Sequence, residues 1–303
     1  MVVTAVLARV DEGGARMLSR RLPKAIREDL DDSKRLVSHA DFGLGEAWAR
    51  ALVGRNARSP EALLDELLLE SRDALSAPCP TSAKPQCWRT QRESFIADDE
   101  LCARVRKHTE TLAARGIHIV RVRSSVLCTK RLNDAKQRGV NRFVADLHAM
   151  ENLLLSLRGD AGVNVNAVCG KVGGITEYEK FFGPLSGHLH TALEVSSKKS
   201  SYYFPTLGEV TFLCDADASD PLVMLASLVG KYVRELLMAR IVRFYPAGND
   251  DNAASGYHDP VTHAFVERTA LFRRERSVPI HCFERARDEA AAAARRARSG
   301  PSP

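Results

Sequence analysis

A long helix that is apolar on every side in its first half constrains this chain most. Residues 222–245 contain no proline and only one glycine, Gly230, and their basic side chains appear only from Lys231 onward. Asp220 and Pro221 precede them, and an aspartate at the N-cap with a proline at the first helical position is typical of a helix start. Because such a helix has no polar face, other elements must cover it. We therefore expect the chain to fold around this helix.

The segments before this helix alternate between strand and helix patterns. Runs rich in branched apolar residues predict the strands, and amphipathic spacing closed by glycine or opened by a capping residue predicts the helices. This alternation is typical of an α/β sheet flanked by helices, and a further helical region follows at the C-terminus. The predicted strands are residues 2–10, 117–123, 163–168, 192–195 and 209–214, and the predicted helices are residues 45–53, 59–74, 101–114, 133–157, 222–245 and 261–276.

Composition narrows the class of protein. The chain has 303 residues, of which 45% are hydrophobic, and this is enough for a sizeable core. Its 44 Lys and Arg against 38 Asp and Glu leave a net charge of +6, which favours acidic partners such as nucleic acid. The longest uncharged apolar run, residues 221–230, is shorter than the ~18 residues that a bilayer span needs. We therefore expect no membrane partner.

Cysteine usage and the first residues indicate the compartment. The seven cysteines are odd in number and form no Cys-x-x-Cys pair, which argues against a disulfide framework and a structural zinc site. Residues 2–7 follow Met1 without a basic region, unlike a signal peptide. Both features are typical of a cytoplasmic protein. We expect one folded domain over residues 1–285 and a disordered Ala/Arg-rich tail at 286–303.

Three tracts carry motifs that occur together in one enzyme family. Residues 32–36 read DSKRL, Asp217 is followed at 225–235 by LASLVGKYVRE, and residues 255–262 read SGYHDPVT. They resemble, in the same order, the Asp-Ser-Lys-Lys-Leu, buried-helix and Ser-Gly-Tyr-Pro-x-Asp-Pro-x-Thr tracts of ribonuclease HII, which cuts the RNA strand of RNA–DNA hybrids. The resemblance spans residues 2–283 with insertions. It implies a ribonuclease H-like mixed sheet flanked by helices.

The resemblance also implies a divalent metal site. Family members hold Mg²⁺ or Mn²⁺ with an Asp-Glu pair on the first strand, an aspartate ending a later strand, and the aspartate before the buried helix. Only Asp217 has a clear counterpart here, because the later-strand tract, VCGKVGG at 168–174, places Gly170 at the ligand position. Asp215 lies two residues before Asp217, so on an extended segment both side chains would face one way and supplement the ligands.

The family's Asp-Glu pair can be aligned with this sequence in two ways. Asp11 and Glu12, in DEGG after the first strand pattern, superficially resemble the family's Asp-Glu-Ala-Gly. The family, however, places a Gly-Pro and a second apolar strand before Asp-Ser-Lys, whereas residues 15–31 are mostly polar and charged. The alternative makes residues 2–10 that second strand, with Asp11 and Glu12 in its exit turn. We favour this alternative, which implies that the first strand and its catalytic pair are missing from this chain.

Several residues are candidates for nucleic-acid contact. Lys231 and Arg234 lie one turn apart on the buried helix, where they either reach a phosphate or extend to solvent. Tyr257 resembles a family tyrosine that stacks near the ribose at the cleavage junction, and its alternative role is loop packing. The predicted metal ligands are Asp217 and Asp215, and Asp217 is also the predicted catalytic residue. The predicted nucleic-acid contacts are Ser33, Lys34, Lys231, Arg234 and Tyr257.

Three hypotheses follow for function. The first is a ribonuclease HII-like protein that acts on RNA–DNA hybrids by metal-assisted phosphodiester hydrolysis, weakened by the missing carboxylates. The second is a non-catalytic nucleic-acid-binding relative. The third is an α/β enzyme of unrelated chemistry that uses Cys169 or the glycine turn around it, although no histidine is tied to Cys169 by sequence. His188 and His190 are a weak zinc pair, because no third ligand accompanies them. No nucleophile is predicted.

Overall fold

The structure of the protein, a computed structural model, belongs to the mixed α/β class. Two sheets are flanked by helices, so the predicted α/β class is confirmed, but the strands form two sheets rather than one. The predicted tail at 286–303 lies outside the described residues apart from Ala286. The structure describes residues 1–20, 22–38, 41–53, 57–91, 93–172, 174–246, 254–257 and 259–286.

Six strands are present in the described residues. A two-stranded antiparallel sheet pairs β1 with β2, and a four-stranded mixed sheet has the order β3-β6-β5-β4. In the second sheet β3 runs parallel to β6, whereas β6, β5 and β4 are antiparallel neighbours. The strands are β1 (Val2–Val10), β2 (Ile117–Val126), β3 (Val165–Gly170), β4 (Thr191–Val195), β5 (Lys199–Phe204) and β6 (Gly208–Leu213).

Helices pack against both sheets, although the edge strand β4 is exposed along its length. Most are short, and the three longest are α8, α10 and α12. The helices are α1 (Glu12–Leu18), α2 (Lys24–Arg27), α3 (Ser33–Leu36), α4 (Gly43–Val53), α5 (Pro60–Leu67), α6 (Arg72–Ser76), α7 (Lys84–Trp88), α8 (Asp99–Ala114), α9 (Thr129–Gln137), α10 (Arg142–Ala161), α11 (Ala216–Ser219), α12 (Pro221–Phe244), α13 (Pro260–Arg268) and α14 (Ala270–Glu275). Within the described residues, none of them has the length and apolar character needed to cross a bilayer.

Helix α12 is the centre of the larger apolar core. Asp220 caps it as predicted, because its Oδ1 accepts hydrogen bonds from the backbone amides of Leu222 and Val223 at 2.8 and 3.1 Å. The helix packs against β1 and α4, and its fully buried apolar side chains are Leu225, Leu228, Val229, Tyr232 and Val233. The first turn is less buried than its composition predicts, since Leu222, Val223 and Met224 are only partly covered.

A second apolar core lies between α10 and the four-stranded sheet. Tyr178 stacks on Phe212 of β6 with ring centroids 3.9 Å apart, and Tyr202 of β5 accepts a hydrogen bond from the Tyr178 amide at 2.9 Å. Leu147 and Leu154 of α10 close this core from the helix side. Because α10 also packs against β1, it connects the two sheets.

Several predicted elements have different bounds in the structure. The predicted helix at 133–157 is two helices, because Gly139 has a φ of +79° and Asn141 caps α10. Helix α10 then continues past Gly159 and ends at Gly162, whose φ is +68°. Likewise the helix predicted at 59–74 ends at Leu67, and the one predicted at 261–276 breaks at Thr269.

Two segments differ in type from the prediction. The turn expected at residues 11–14 is the start of α1, in which Asp11 is the N-cap and accepts a hydrogen bond from the Gly14 amide at 2.9 Å. Strand β5 had no counterpart in the predicted elements, because its sequence KSSYYF carries polar residues where a buried strand is expected to be apolar. Ser200 and Ser201 are nevertheless buried.

Gly230 allows α12 to approach β1 closely. A Cβ atom at this position would lie 2.8 Å from Thr4 Oγ1 and 3.3 Å from Thr4 Cβ. Thr4 is held in place by a 2.8 Å hydrogen bond to Ser124 of β2. The helix and the sheet therefore pack too closely here for any larger side chain.

We predict that Gly230→Ala destabilises the protein by about 1–3 kcal/mol through overpacking. The same change made together with Thr4→Ala should destabilise by clearly less relative to Thr4→Ala alone, because the 2.8 Å contact with the Thr4 hydroxyl is gone and only the 3.3 Å contact with the Cβ remains, offset by the helix propensity of alanine. Gly159→Ala is the matched control, since Gly159 lies in α10 with open space around its missing Cβ, and it should stabilise slightly. Urea denaturation measures each effect. Stabilisation by Gly230→Ala in both backgrounds would contradict the close packing.

Candidate nucleic-acid interface

Helix α12 holds the DSKRL tract through one lysine. The Lys231 Nζ donates hydrogen bonds to the backbone carbonyls of Ser33, at 3.0 Å, and of Val37. These two carbonyls lie at the start and just after the end of α3, so the lysine fixes this short helix against α12. Burial lowers the pKa of Lys231, and the nearby Arg234 and Lys34 add to this effect.

One turn further along α12, Arg234 holds the SGY tract. Its guanidinium donates to the carbonyl oxygen of Ser255 and lies over the Tyr257 ring, 4.0 Å from the ring centroid. Gly256 has a φ of +73°, and a Cβ there would lie 2.8 Å from the Met238 sulfur. The glycine of this tract is therefore required for the close approach, and Tyr257 remains 57% exposed beside the arginine.

The loop that carries Tyr257 is fixed by the cap of the next helix. Asp259 caps α13 by accepting a 2.7 Å hydrogen bond from the Thr262 amide, and its other carboxylate oxygen accepts a hydrogen bond from the Ser255 hydroxyl. These hydrogen bonds, that of Ser255 foremost, lower the pKa of Asp259. Pro260 occupies the first turn of the helix. The Asp-Pro pair of the SGYHDPVT tract is thus a helix start.

Asp217 lies next to the DSKRL tract. Its Oδ2 is 3.7 Å from the Lys34 Nζ, and both side chains are accessible, at 37% and 78% exposure. The structure therefore brings together residues of all three tracts around one helix, namely Lys34, Asp217, Lys231, Arg234 and Tyr257. No local sequence pattern predicts the contact of Lys34 with Asp217, because 182 residues lie between them.

The prediction that Asp215 and Asp217 share a strand face is wrong. Asp215 has a left-handed backbone with φ 51° and ψ 33°, and Asp217 follows it in the helical turn α11. The segment is therefore not extended, and strand alternation does not relate the two side chains. The N-cap of α12 is Asp220, so Asp217 is not needed for capping.

The glycine turn after β3 lies beside the segment that leads to Asp217. Strands β3 and β6 are parallel, with Gly170 paired to Leu213, and the Lys171 amide donates to the Leu213 carbonyl at 2.9 Å. Their carboxyl ends therefore meet at one edge of the sheet, where the resemblance implies a carboxylate. A Cβ on Gly170 would meet no atom within 4 Å, so this edge has room for a side chain.

The described residues do not fit a divalent metal site as they stand. Among them, no group of three or more His, Cys, Asp or Glu side chains is arranged to hold an ion. Asp217 has a lysine partner instead of further carboxylates, whereas Mg²⁺ and Mn²⁺ are bound by several oxygen ligands. We therefore derive no reaction step through a metal.

The structure supports neither a zinc site at His188 and His190 nor a nucleophilic role for Cys169. His190 lies 3.6 Å from a carboxylate oxygen of Glu179, and His188 contacts Thr206 rather than a shared ligand. Burial raises the pKa of Cys169 to about 12, so its thiol is protonated at neutral pH and is a poor nucleophile.

Comparisons with known proteins identify no relative of this chain. No protein-family model, curated protein or solved structure matches the chain. The functional argument therefore depends on the three tracts and on the contacts between them.

We predict that the two aspartates before α12 differ sharply in their effect on stability. Asp220→Ala should lower the free energy of unfolding by about 1 kcal/mol, because two backbone amides lose their acceptor. Asp217→Ala should change it by less than about 0.5 kcal/mol, because an exposed ion pair contributes little. Urea denaturation at neutral pH compares them. An equal loss for both variants would mean that Asp217 has a structural role.

Proposed function

We propose that this chain is a ribonuclease HII-like protein that binds RNA–DNA hybrids or related duplexes on the face built on α12. The observation that carries the proposal is the meeting of three tracts, distant in sequence, around Lys231 and Arg234. Each tract resembles a family motif, and folding brings all three into contact. The net charge of +6 adds a general attraction for phosphate.

The residues of this face have different tasks. Lys34 is exposed and is the cation available to a phosphate, whereas Lys231 is half-buried and bonded to two carbonyls, so it positions α3. Tyr257 presents an exposed ring for stacking on a ribose or base, and Arg234 keeps that ring in place from behind. Ser33 contributes its carbonyl to Lys231, and its side chain is buried.

Duplex binding is favoured over catalysis. Hydrolysis with Mg²⁺ or Mn²⁺ needs several oxygen ligands at one place, and the described residues provide Asp217 paired with Lys34. Phosphate contact needs only an accessible cation and an aromatic ring, and this face presents Lys34 and Tyr257. The non-catalytic alternative is therefore our first choice, and weak metal-dependent cleavage is the second.

The binding proposal predicts a strongly salt-dependent affinity for an RNA–DNA hybrid. The affinity should fall by about tenfold or more between 50 and 200 mM salt if several phosphates are contacted. Lys34→Gln should weaken binding and lower the slope of log Kd against log salt by about one. Lys24→Gln is the matched control, because Lys24 is an exposed lysine of α2 outside this face. Fluorescence anisotropy measures all three proteins.

Tyr257 provides the test of specificity. Tyr257→Leu should remove the preference for the hybrid over DNA duplex of the same sequence, whereas Tyr257→Phe, which keeps the ring, should retain most of it. A flat salt profile, or equal Kd values for Lys34→Gln and wild type, would exclude this face as the interface.

Adding a carboxylate at Gly170 tests, by thermal unfolding and not by activity, whether the edge near Asp217 binds metal. Wild type should show little stabilisation by Mn²⁺ in thermal unfolding and weak or no cleavage of a uniform hybrid. Gly170→Asp places a carboxylate at the open edge near Asp217 and should increase the Mn²⁺-dependent rise in Tm. Gly187→Asp adds the same charge at another open glycine and should not. Strong Mn²⁺ stabilisation of wild type, lost in Asp217→Asn, would show that wild type already binds metal.

A further inference from the structure

A cavity of about 300 Å³ lies behind the arginine–tyrosine pair. Its walls come from the second half of α12, from α13, from the start of α9, from α7 and from residues 282–285. Large apolar side chains make up much of the lining, among them Leu237, Ile241, Phe265, Val266 and Phe283. The cavity is therefore a largely apolar space at the junction of several helices, and it shares Arg234, Gly256 and Tyr257 with the polar face proposed above.

Four of the seven cysteines line this cavity, and they come from three separate regions of the sequence. Burial raises the pKa of Cys79 and Cys87, and it raises that of Cys282 to about 11, so these thiols carry no charge at neutral pH. Cys128 and Met238 complete a sulfur-rich wall. Thiol and thioether groups are soft and polarisable, and sulfur makes favourable contacts with aromatic rings.

The charged side chains of the lining are compensated by neighbours. Three cations and one carboxylate of the wall each have a partner of opposite charge, and Arg285, a further cation of the wall, also interacts with a neighbour. The Met1 ammonium donates a 2.8 Å hydrogen bond to the Leu127 carbonyl, and burial lowers its pKa to about 6, so it is mostly neutral at neutral pH. The cavity therefore offers little net attraction for a charged ligand. A charge that entered this apolar space would lose its hydration without a free counter-charge. The pairs are Lys130 with Asp134, Arg131 with Glu70, Arg234 with Glu235, and Glu284 with Arg273.

The volume sets the size of the occupant. An engineered apolar cavity of ~150 Å³ takes up benzene, so a cavity of twice that volume accommodates roughly a dozen non-hydrogen atoms. Natural ligand pockets begin at about this volume and are mostly apolar. We propose that this cavity is a binding site for uncharged aromatic molecules of two rings.

The experiment uses 1-naphthol as the probe and isothermal titration calorimetry on the full chain. We expect saturable binding at one site. Phenol, with one ring, should bind at least tenfold more weakly, because each buried carbon group removed loses about fourfold in affinity. Sodium 1-naphthoate and 1-naphthylmethylammonium, which keep the two rings and add a charge of either sign, should also bind at least tenfold more weakly.

Two substitutions locate the site. Ile241→Trp fills the cavity from α12 and should weaken 1-naphthol binding at least tenfold. Ile96→Trp is the matched control, because Ile96 is exposed and lies outside the lining, and it should bind as wild type does. Val266→Phe fills the space from α13 and serves if Ile241→Trp fails to fold, as judged by thermal unfolding.

Three results would overturn the proposal. The first is no detectable binding of 1-naphthol up to its solubility limit. The second is binding of the charged probes as tight as that of 1-naphthol, which would mean that the cavity does not select against charge. The third is equal affinity of wild type and a folded cavity-filling variant, which would place the probe elsewhere.

Discussion

The burial of α12 is the constraint on which the rest of the structure depends. Its apolar sides are covered by β1 and α4, and the contact of Gly230 with Thr4 shows how closely the helix approaches the sheet. The same helix then presents Lys231 and Arg234 one turn apart, where both find backbone carbonyls. A buried or half-buried cation needs such acceptors, since its desolvation is otherwise unfavourable. Core packing and the arrangement of the candidate interface are thus set by one element.

Local signals explain which parts of the fold were predictable. The Asp220 cap, the strand patterns of β1 and β2 and the existence of the long helices follow from neighbouring residues, and the structure confirms them. The sequence does not predict strand β5, because its buried serines are stabilised by pairing with β4 and β6, which a strand pattern does not reveal. The break between α9 and α10 depends on the backbone of Gly139, a residue that the helical pattern tolerates.

The candidate site also has parts that the sequence predicts and parts that it does not. The resemblance named Lys34, Lys231, Arg234 and Tyr257, and these residues do meet around α12. The spacing of Asp215 and Asp217 predicts that both side chains share one strand face. This prediction is wrong, because Asp215 has a left-handed backbone and the segment is not extended. The pairing of Asp217 with Lys34 depends on the docking of α3, which no local pattern encodes.

That pairing connects the two functional alternatives. The Lys34 Nζ lies 3.7 Å from the Asp217 Oδ2, so this carboxylate already has a positive charge beside it. A phosphate that binds Lys34 competes with Asp217, and a metal that binds Asp217 competes with Lys34. The exposed ion pair is weak, on the order of 1 kcal/mol or less, so either ligand is able to displace it. Lys34 leaves the carboxylate in both cases, so the state of Asp217 distinguishes a face that binds duplex from one that also binds metal: in the first Asp217 only loses its lysine partner, and in the second it becomes a metal ligand.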